Sequence, residues 1–344
     1  METILYLAHT EADGTLPKPA LEALSAATKL AQDRAGSTLR VGIVGRDVQA
    51  AADAIAGCGA ETFYGVYGED FGTSRYSSDA TAFEAIVRAA GPTLVVAPGT
   101  SRLSRALPGV ALRVDGRIDT HVAGLVSEGG DLAIQRWYYR QRMVATQTRT
   151  QRPWFLLVDA GVFEPWKGVP GSVSVKAVAV SLPAGLRRTE IVGVEAASSD
   201  AQTIRPDAEL LFVAGAGWTK KQADGQTHVK EAEALILDFL TKTKASLGSS
   251  KSLVDQTGEG QAVIGFLSHL NQVGQTGATP RHPKGLSTCC HGEEPHVVGW
   301  RFINERRAIN LDPNCGWARG KTDVLYVADA FKLIARVNEL LGEC

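Results

Sequence analysis

Short apolar runs alternate with helical periodicities along the first hundred residues. The strand-like runs are Thr3–Ala8, Arg40–Gly45, Thr62–Tyr67 and Thr93–Pro98. Apolar residues recur at helical spacing between them, on Leu21, Leu24, Ala27, Leu30 and Ala31 and within Val48–Ala56 and Asp79–Ala90. Because strands that alternate with helices usually pair in parallel, this order predicts a parallel sheet with helices on both faces.

The pattern changes from residue 121 onward, where short strands follow one another with few helical segments between them. The predicted strands are His121–Val126, Leu132–Tyr138, Met143–Thr148 and Trp154–Val158. Gly129-Gly130-Asp131 is typical of a hairpin turn. Segment 136–142 is rich in arginine and aromatic residues, as a nucleic-acid patch would be. Without a basic domain around it, we favour a strand that faces a partner subunit.

A polar, serine-rich segment separates two halves of the chain. It covers Glu195–Gln202, and with Arg205-Pro206-Asp207 after it we predict a domain boundary near residue 204. Beyond it, strands are predicted at Glu209–Ala214, Arg307–Leu311 and Val324–Ala328, and helices at Val229–Leu247 and from Ala330 to Leu341. The sequence therefore predicts an α/β fold with two domains, 1–204 and 205–344, each a mostly parallel sheet flanked by helices.

Three loops that contain glycine are candidates for binding a ligand. Gln272–Gly277 offers two glycines that let the backbone approach a ligand closely, and two amides and a hydroxyl that can hold it. Gly215-Ala216-Gly217 follows a strand, as pyrophosphate loops do, but a third glycine in register is missing. Pro98–Ser101 lies at the carboxyl end of a strand, although a helix capped by Ser101 is the simpler interpretation.

The composition excludes several classes of protein. With 344 residues, 44% of them hydrophobic and 21% charged, the chain resembles a soluble globular protein with room for two cores. The 36 lysines and arginines nearly balance the 37 aspartates and glutamates, so no nucleic acid or anionic membrane is expected as a partner. No apolar run reaches the about eighteen residues that a membrane span needs. Five irregularly spaced cysteines and an N-terminus that enters a strand at once predict a cytoplasmic protein.

Short motifs in both halves occur in an order that points to one protein family. The second half carries Arg205-Pro206-Asp207, Ser250-Lys251 with Asp255, Gln272–Gly277, Ala308-Ile309-Asn310 with Asp312-Pro313, and Ala328-Asp329. The first half adds Arg117-Ile118-Asp119-Thr120-His121-Val122 and Gly161-Val162-Phe163-Glu164-Pro165. In this order the motifs resemble the alpha subunit of electron transfer flavoproteins over nearly the whole chain. From Gln272 to Asn310 the family's spacing fits without a gap.

The resemblance implies that the second domain is a Rossmann-like domain that binds FAD. It puts Thr276 near flavin N5, and His296 near the O2 carbonyl. His291 would lie on the phosphate and ribityl side, Asn310 at the adenosine end, and Lys251 where the family has an arginine over the flavin ring. The full set of implied cofactor-binding residues is Ser250, Lys251, Gln272, Val273, Gly274, Gln275, Thr276, Gly277, His291, Gly292, His296, Asn310 and Asp312.

These residue types suit a flavin that carries electrons. Positive charge in a low-dielectric site stabilises the negative charge of the reduced flavin, and His296 and Lys251 can both supply it. Lysine is a point charge without the planar stacking of arginine, so Lys251 is expected to set a different potential from the family's arginine.

The chain departs from the family at several places. Gly215-Ala216-Gly217-Trp218 lacks the arginine of the family's Gly-Gly-Arg-Gly pattern, and His291-Gly292-Glu293-Glu294-Pro295 replaces a serine-glycine-alanine run. Residues are inserted between Pro313 and Val324, and the family's late aspartate falls on Ala335. These changes leave room for an unusual redox partner.

The cysteines and histidines at 289–296 are residue types that could bind a metal. The adjacent Cys289 and Cys290, with His291 and His296, match no standard ligand spacing, so no metal is expected. Glu293 and Glu294 are expected to be solvated loop residues, and Asp255 to be a helix cap or turn residue.

The implied function is electron transfer. The chain would bind FAD, pair with an AMP-binding beta subunit, accept electrons from a flavin-dependent dehydrogenase and pass them to a downstream quinone-linked acceptor. It would then be an electron carrier rather than a substrate-converting enzyme. Two alternatives stay open: a redox-inactive nucleotide-binding scaffold, suggested by the missing arginine, and a fixed electron-transfer subunit of a larger dehydrogenase complex, suggested by the altered loop 291–296.

Overall fold

The chain divides into two compact units, Met1–Glu195 and Ala196–Cys344. The computed structural model describes residues 2–128, 131–138, 143–182, 189, 191–193, 204–205, 208–255, 263–274, 281–289 and 303–343. Each unit contains a sheet with parallel pairing and helices around it, which confirms the predicted α/β fold class. The predicted boundary near residue 204 stays a prediction, because most residues around it lie outside these ranges.

The first unit is built on a nine-stranded sheet. In chain order its elements are β1 (Thr3–His9), α1 (Lys18–Asp33), β2 (Thr38–Gly45), α2 (Gln49–Ala54), β3 (Thr62–Tyr67), α3 (Glu69–Gly72), α4 (Tyr76–Ala90), β4 (Leu94–Pro98), α5 (Ser101–Arg113), β5 (Arg117–Glu128), β6 (Asp131–Tyr138), β7 (Met143–Gln147), β8 (Trp154–Val158) and β9 (Val175–Ala177). The strand order is β7-β6-β5-β8-β4-β1-β2-β3-β9. Pairing is parallel from β5 to β9 across the sheet, and antiparallel for β5–β6 and β6–β7.

Alternating side chains of the central strands build two cores in this unit. Ile4, Tyr6 and Ala8 of β1 pack with α1 and α2 on one face, while Leu5 and Leu7 pack with α4 and α5 on the other. Burial on both faces explains why these strands are near-continuous apolar runs.

The second unit is built on a five-stranded, fully parallel sheet. Its elements are β10 (Leu210–Ala214), α6 (Val229–Thr243), β11 (Ser246–Ser249), α7 (Lys251–Asp255), β12 (Lys284–Cys289), β13 (Glu305–Asn310), α8 (Gly316–Lys321), β14 (Val324–Val327) and α9 (Ala330–Gly342). The strand order is β11-β10-β12-β13-β14. Helices α6 and α9 pack on one face of the sheet, against Phe212 and Ile309. On the opposite face, Ala318 of α8 packs with Val213 and Ala308.

Most predicted elements are present, and two local predictions are wrong. Strands β3 and β8 have the predicted bounds. The helix predicted to reach Leu247 ends at Thr243, because Lys244 adopts a left-handed conformation (φ 55°) and the chain then enters β11. The cap of α5 is Thr100 rather than Ser101: its hydroxyl accepts the Leu103 N–H at 3.4 Å.

Within the described ranges, no helix has both the length and the apolar character that crossing a bilayer requires.

Candidate functional site

The carboxyl edge of the second unit's sheet contains a topological switch point between β10 and β12. The chain leaves β10 toward α6 and β11 on one side, and the later strands continue on the other side, as the strand order shows. Open parallel sheets bind ligands in the crevice that such a reversal leaves outside the strand ends. Two backbone bonds close the floor of this crevice, from Gly215 N–H to Thr288 O (2.9 Å) and from Ser250 N–H to Ala214 O (2.8 Å).

The turn after β10 is filled by a buried tryptophan. The Trp218 indole N–H donates to Thr288 Oγ1 at 2.8 Å, the Thr288 hydroxyl donates to Val213 O at 2.9 Å, and the indole packs on Phe331 with ring centroids 4.7 Å apart. Residues Ala216–Thr219 form a short 3₁₀ turn, and α6 begins only at Val229. The Gly215–Gly217 loop therefore does not lead directly into a helix N-terminus, as a pyrophosphate loop would.

The segment 272–274 extends the sheet beside β11. Gln272 forms a parallel bridge with Ser249, and the Val273 N–H donates to Ser249 O at 3.0 Å. Val273 is buried against Gly248, where a Cβ would lie 2.5 Å from Val273 Cγ2. Gly274 follows with φ 124°, a backbone conformation that side chains disfavour. Two predicted site residues, Gln272 and Val273, are thus fixed at the sheet edge, with Gly274 as the turn.

Ser250 and Lys251 begin the helix that follows β11. Ser250 is buried, and its Oγ accepts the Leu253 N–H at 3.2 Å, so it caps α7. The side chain of Lys251 is 47% exposed, and its Nζ lies 3.5 Å from Asp255 Oδ2. His269 Nε2 lies 3.0 Å from the other oxygen, Oδ1. This hydrogen bond from His269, together with the Lys251 charge, lowers the pKa of Asp255.

Asn310 and Asp312 organise the turn after β13. Asn310 Oδ1 accepts the Asp312 N–H at 2.9 Å, and Asp312 Oδ1 accepts the Asn314 N–H at 2.8 Å. The Asn310 side chain is fully buried, yet its Nδ2 has no hydrogen-bond partner among the described residues. A buried donor left without a partner costs about 1–3 kcal/mol, so a ligand acceptor at this position would be stabilising.

The predicted residues that are described lie at two ends of one edge. Ser250 follows β11, and Asn310 ends β13, three strand spacings or roughly 14 Å away. The segment 272–274 lies one spacing further out, beyond β11, and is therefore roughly 19 Å from Asn310. The strand register puts Asn310 on the same face as Ala308, which shares a core cluster with Val273. A ligand that touches both ends must be elongated, as a dinucleotide is. The predicted site residues Gln275, Thr276, Gly277, His291, Gly292 and His296 lie outside the described residues.

A cavity of about 620 Å³ lies between the same sheet and helices α6 and α9. Its lining extends from the first residues of three strands, Leu210, Lys284 and Glu305, to Ile309 and Tyr326 near the ends of β13 and β14. Strand alternation puts Ile309 on the face opposite to that of Asn310, and none of the described lining residues is a predicted site residue. Volume alone therefore does not identify the functional site here.

Two polar interactions were not predicted from the sequence. The hydrogen bond between Asp255 and His269 joins residues on different elements, and no spacing rule connects them.

In the first unit, the buried Asp119 accepts hydrogen bonds from Arg136 (2.7 Å), Arg149 (2.9 Å) and the Trp154 indole (2.8 Å). Burial alone would raise the pKa of Asp119, but the hydrogen bonds from Arg149 and Trp154 lower it overall. Arg136, predicted to belong to a partner-facing strand, thus serves an internal network.

Comparison with known proteins identifies the first unit. A family model described as electron transfer flavoprotein domain matches residues 4–184, more than half of the 344-residue chain. No curated protein sequence matches the chain.

Proposed function

Since the chain belongs to the electron transfer flavoprotein family, we propose that it is the alpha subunit and binds FAD along the carboxyl edge of the second unit's sheet. The observation that carries this proposal is the buried Nδ2 of Asn310, which has no hydrogen-bond partner among the described residues. Asn310 lies on the edge of the sheet that also holds 272–274. An FAD acceptor atom would satisfy this donor. The elongated shape of the edge favours a dinucleotide over a mononucleotide.

The residues of the chain would bind and orient the two ends of the cofactor. Backbone groups of 272–274 would hold the isoalloxazine side, where Gly274 has a positive φ (124°) and no side chain to obstruct a ligand. Lys251 contributes an ammonium near the ring, and Asn310 with Asp312 holds the adenosine end. Gln275, Thr276, Gly277, His291, Gly292 and His296 complete the proposed set. The flavin, when bound, supplies the capacity to accept and release electrons.

The family and an exposed strand edge support a proposal about the partners of this chain. We propose an AMP-binding beta subunit, a flavin-dependent dehydrogenase as electron donor and a quinone-linked acceptor downstream, in the cytoplasm. Strand β7 lies at the edge of the first sheet, and its Met143 and Val144 side chains are exposed. An edge strand with apolar side chains and open backbone groups suits docking of another subunit. The beta subunit is the occupant that we propose.

Co-expression with the beta subunit and an absorption spectrum test the cofactor. We expect a yellow heterodimer whose colour bleaches with dithionite. A colourless heterodimer with tightly bound AMP would instead support a redox-inactive scaffold. Co-purification with a dehydrogenase at constant stoichiometry through high salt would support a fixed subunit of a larger complex.

A matched pair of variants tests the residue assignment. Asn310→Asp keeps the oxygen that accepts the Asp312 N–H but replaces the buried donor by an oxygen that would repel an FAD acceptor atom, so FAD affinity should fall by at least roughly tenfold. Asn314→Asp makes the same chemical change at an exposed position of the same turn and should leave affinity unchanged. Equal affinity in both variants would show that Asn310 does not contact FAD.

A further inference from the structure

Two charged side chains and a histidine form a cluster beside the 272–274 segment. Asp255, the last residue of α7, lies between Lys251 Nζ (3.5 Å) and His269 Nε2 (3.0 Å), one at each carboxylate oxygen. Lys251 begins the same helix, whereas His269 begins the turn His269–Asn271. The Asp255 carboxylate therefore joins its own helix to a residue that lies 14 positions further along the sequence.

The turn that His269 begins leads directly into the candidate cofactor segment. A capping box between Ser268 and Asn271 makes the turn rigid, and the Asn271 amide donates to Leu247 O at 3.4 Å on the inner side. The next residues, Gln272 and Val273, pair with Ser249. Buried contacts thus hold the inner side of the turn, and the contact with Asp255 holds its outer, solvent-facing side.

We propose that Asp255 is a positioning residue of the flavin site, which holds the 269–274 segment against α7 through His269 and at the same time restrains the ammonium of Lys251. This inference rests on the proposed function for its link to flavin. The bond to His269 fixes where the segment lies. The bond to Lys251 compensates part of the positive charge next to the cofactor.

The two bonds of Asp255 have separable consequences. Without the carboxylate, the outer side of the turn is released and the Val273–Ser249 hydrogen bond should open more often. Removing one negative charge also leaves the Lys251 ammonium without this counter-charge, so the local potential becomes more positive. Because reduction adds negative charge to a flavin, this change favours the reduced form over the oxidised form. The midpoint potential is therefore expected to rise.

Two variants at this position test the two consequences, measured on the heterodimer. Asp255→Ala removes both bonds, and amide hydrogen exchange at Val273 should speed up by about twofold to fivefold, the range for one exposed ion pair. Asp255→Asn removes the charge but keeps the size, and it should raise the midpoint potential and strengthen binding of reduced FAD relative to oxidised FAD. Asp255→Glu should restore both values toward those of the wild type.

The control is an equivalent pair on another helix of the same unit. Asp238 on α6 pairs with Lys242 at 2.8 Å with the same four-residue spacing and similar exposure. Asp238→Asn and Asp238→Ala should change neither Val273 exchange nor the potential. Unchanged exchange and an unchanged potential in the yellow Asp255 variants would overturn the proposal. A colourless wild-type heterodimer would refute the proposed function instead, while Val273 exchange would still test the bond between Asp255 and the turn.

Discussion

Substituting Gly248 by alanine should displace the segment that we assign to the flavin. Gly248 lies in β11, and a Cβ there would be 2.5 Å from Val273 Cγ2, far inside contact distance. The next nearest atoms, on Leu211 and Val213, lie at 3.4 and 3.5 Å and are ordinary contacts. Val273 is therefore the residue that must move.

The expected cost follows from how Val273 is held. Its side chain is buried and branched at Cβ, so a rotamer change offers little relief, and its N–H is bonded to Ser249 O. Adding a methyl group to a packed core costs about 1–3 kcal/mol, while replacing glycine restricts the unfolded chain and returns about 0.4–1 kcal/mol. The net effect should be roughly 1–2 kcal/mol, corresponding to about 5- to 30-fold faster exchange of the Val273 amide.

Amide exchange is the preferred assay, because a chain of two units need not unfold in one step. Gly320→Ala is the control: a Cβ at Gly320 in α8 meets nothing within 4 Å, so this variant should be neutral or slightly stabilising. In a double-mutant cycle, Val273→Ala should relieve part of the cost of Gly248→Ala. Normal exchange in Gly248→Ala, or strictly additive effects in the cycle, would refute the packing argument.

Two further predictions concern pH and buried charge. Asp119→Asn leaves Arg136 and Arg149 without their carboxylate partner. It should destabilise the first unit by about 2–3 kcal/mol at pH 7, a cost between those of losing an exposed ion pair and a fully buried one. Folding lowers the pKa of Asp119. Its contribution to the stability of the fold is therefore fully present above the unfolded-state pKa of about 3.9 and is lost as the pH falls through the folded-state pKa. The urea midpoints of wild type and variant should consequently converge in acid. At His228, the hydrogen bond to Asp224 (2.7 Å) raises the imidazole pKa, which NMR titration should find above 6.5. Asp224→Asn should lower this pKa, with part of the increase kept by Glu231, 3.2 Å from the other ring nitrogen. The sign is opposite to that of Asp119: the stabilisation by protonated His228 is present below its unfolded pKa and is lost as pH rises through the folded one. A wild-type His228 pKa at or below 6.5, or an Asp119→Asn variant as stable as wild type at neutral pH, would contradict these assignments.

The sequence by itself determined the fold class, because periodicity depends on local burial. Strands β3 and β8 were predicted with their observed bounds, since each is a short apolar run between polar turns. The end of α6 was predicted at the wrong residue. Leu247 continues the apolar spacing of a helix, although the helix has already ended before Lys244, where the chain turns. An apolar residue fits a buried strand as well as a buried helix face, and only the surrounding sheet distinguishes them.

The tertiary structure decided which polar groups meet. The family resemblance indicated Ser250, Gln272 and Asn310 as site residues, but only the strand order puts them on one edge, with Asn310 roughly 14 Å from Ser250 and roughly 19 Å from Gln272. The close approach of Val273 to Gly248 and the bond between Asp255 and His269 depend on residues from different elements, as does the burial of an Asn310 amide that has no partner in the described part of the chain. Side-chain contacts across a sheet or between a helix and a turn are long-range in sequence, so they leave no periodic signal along the chain.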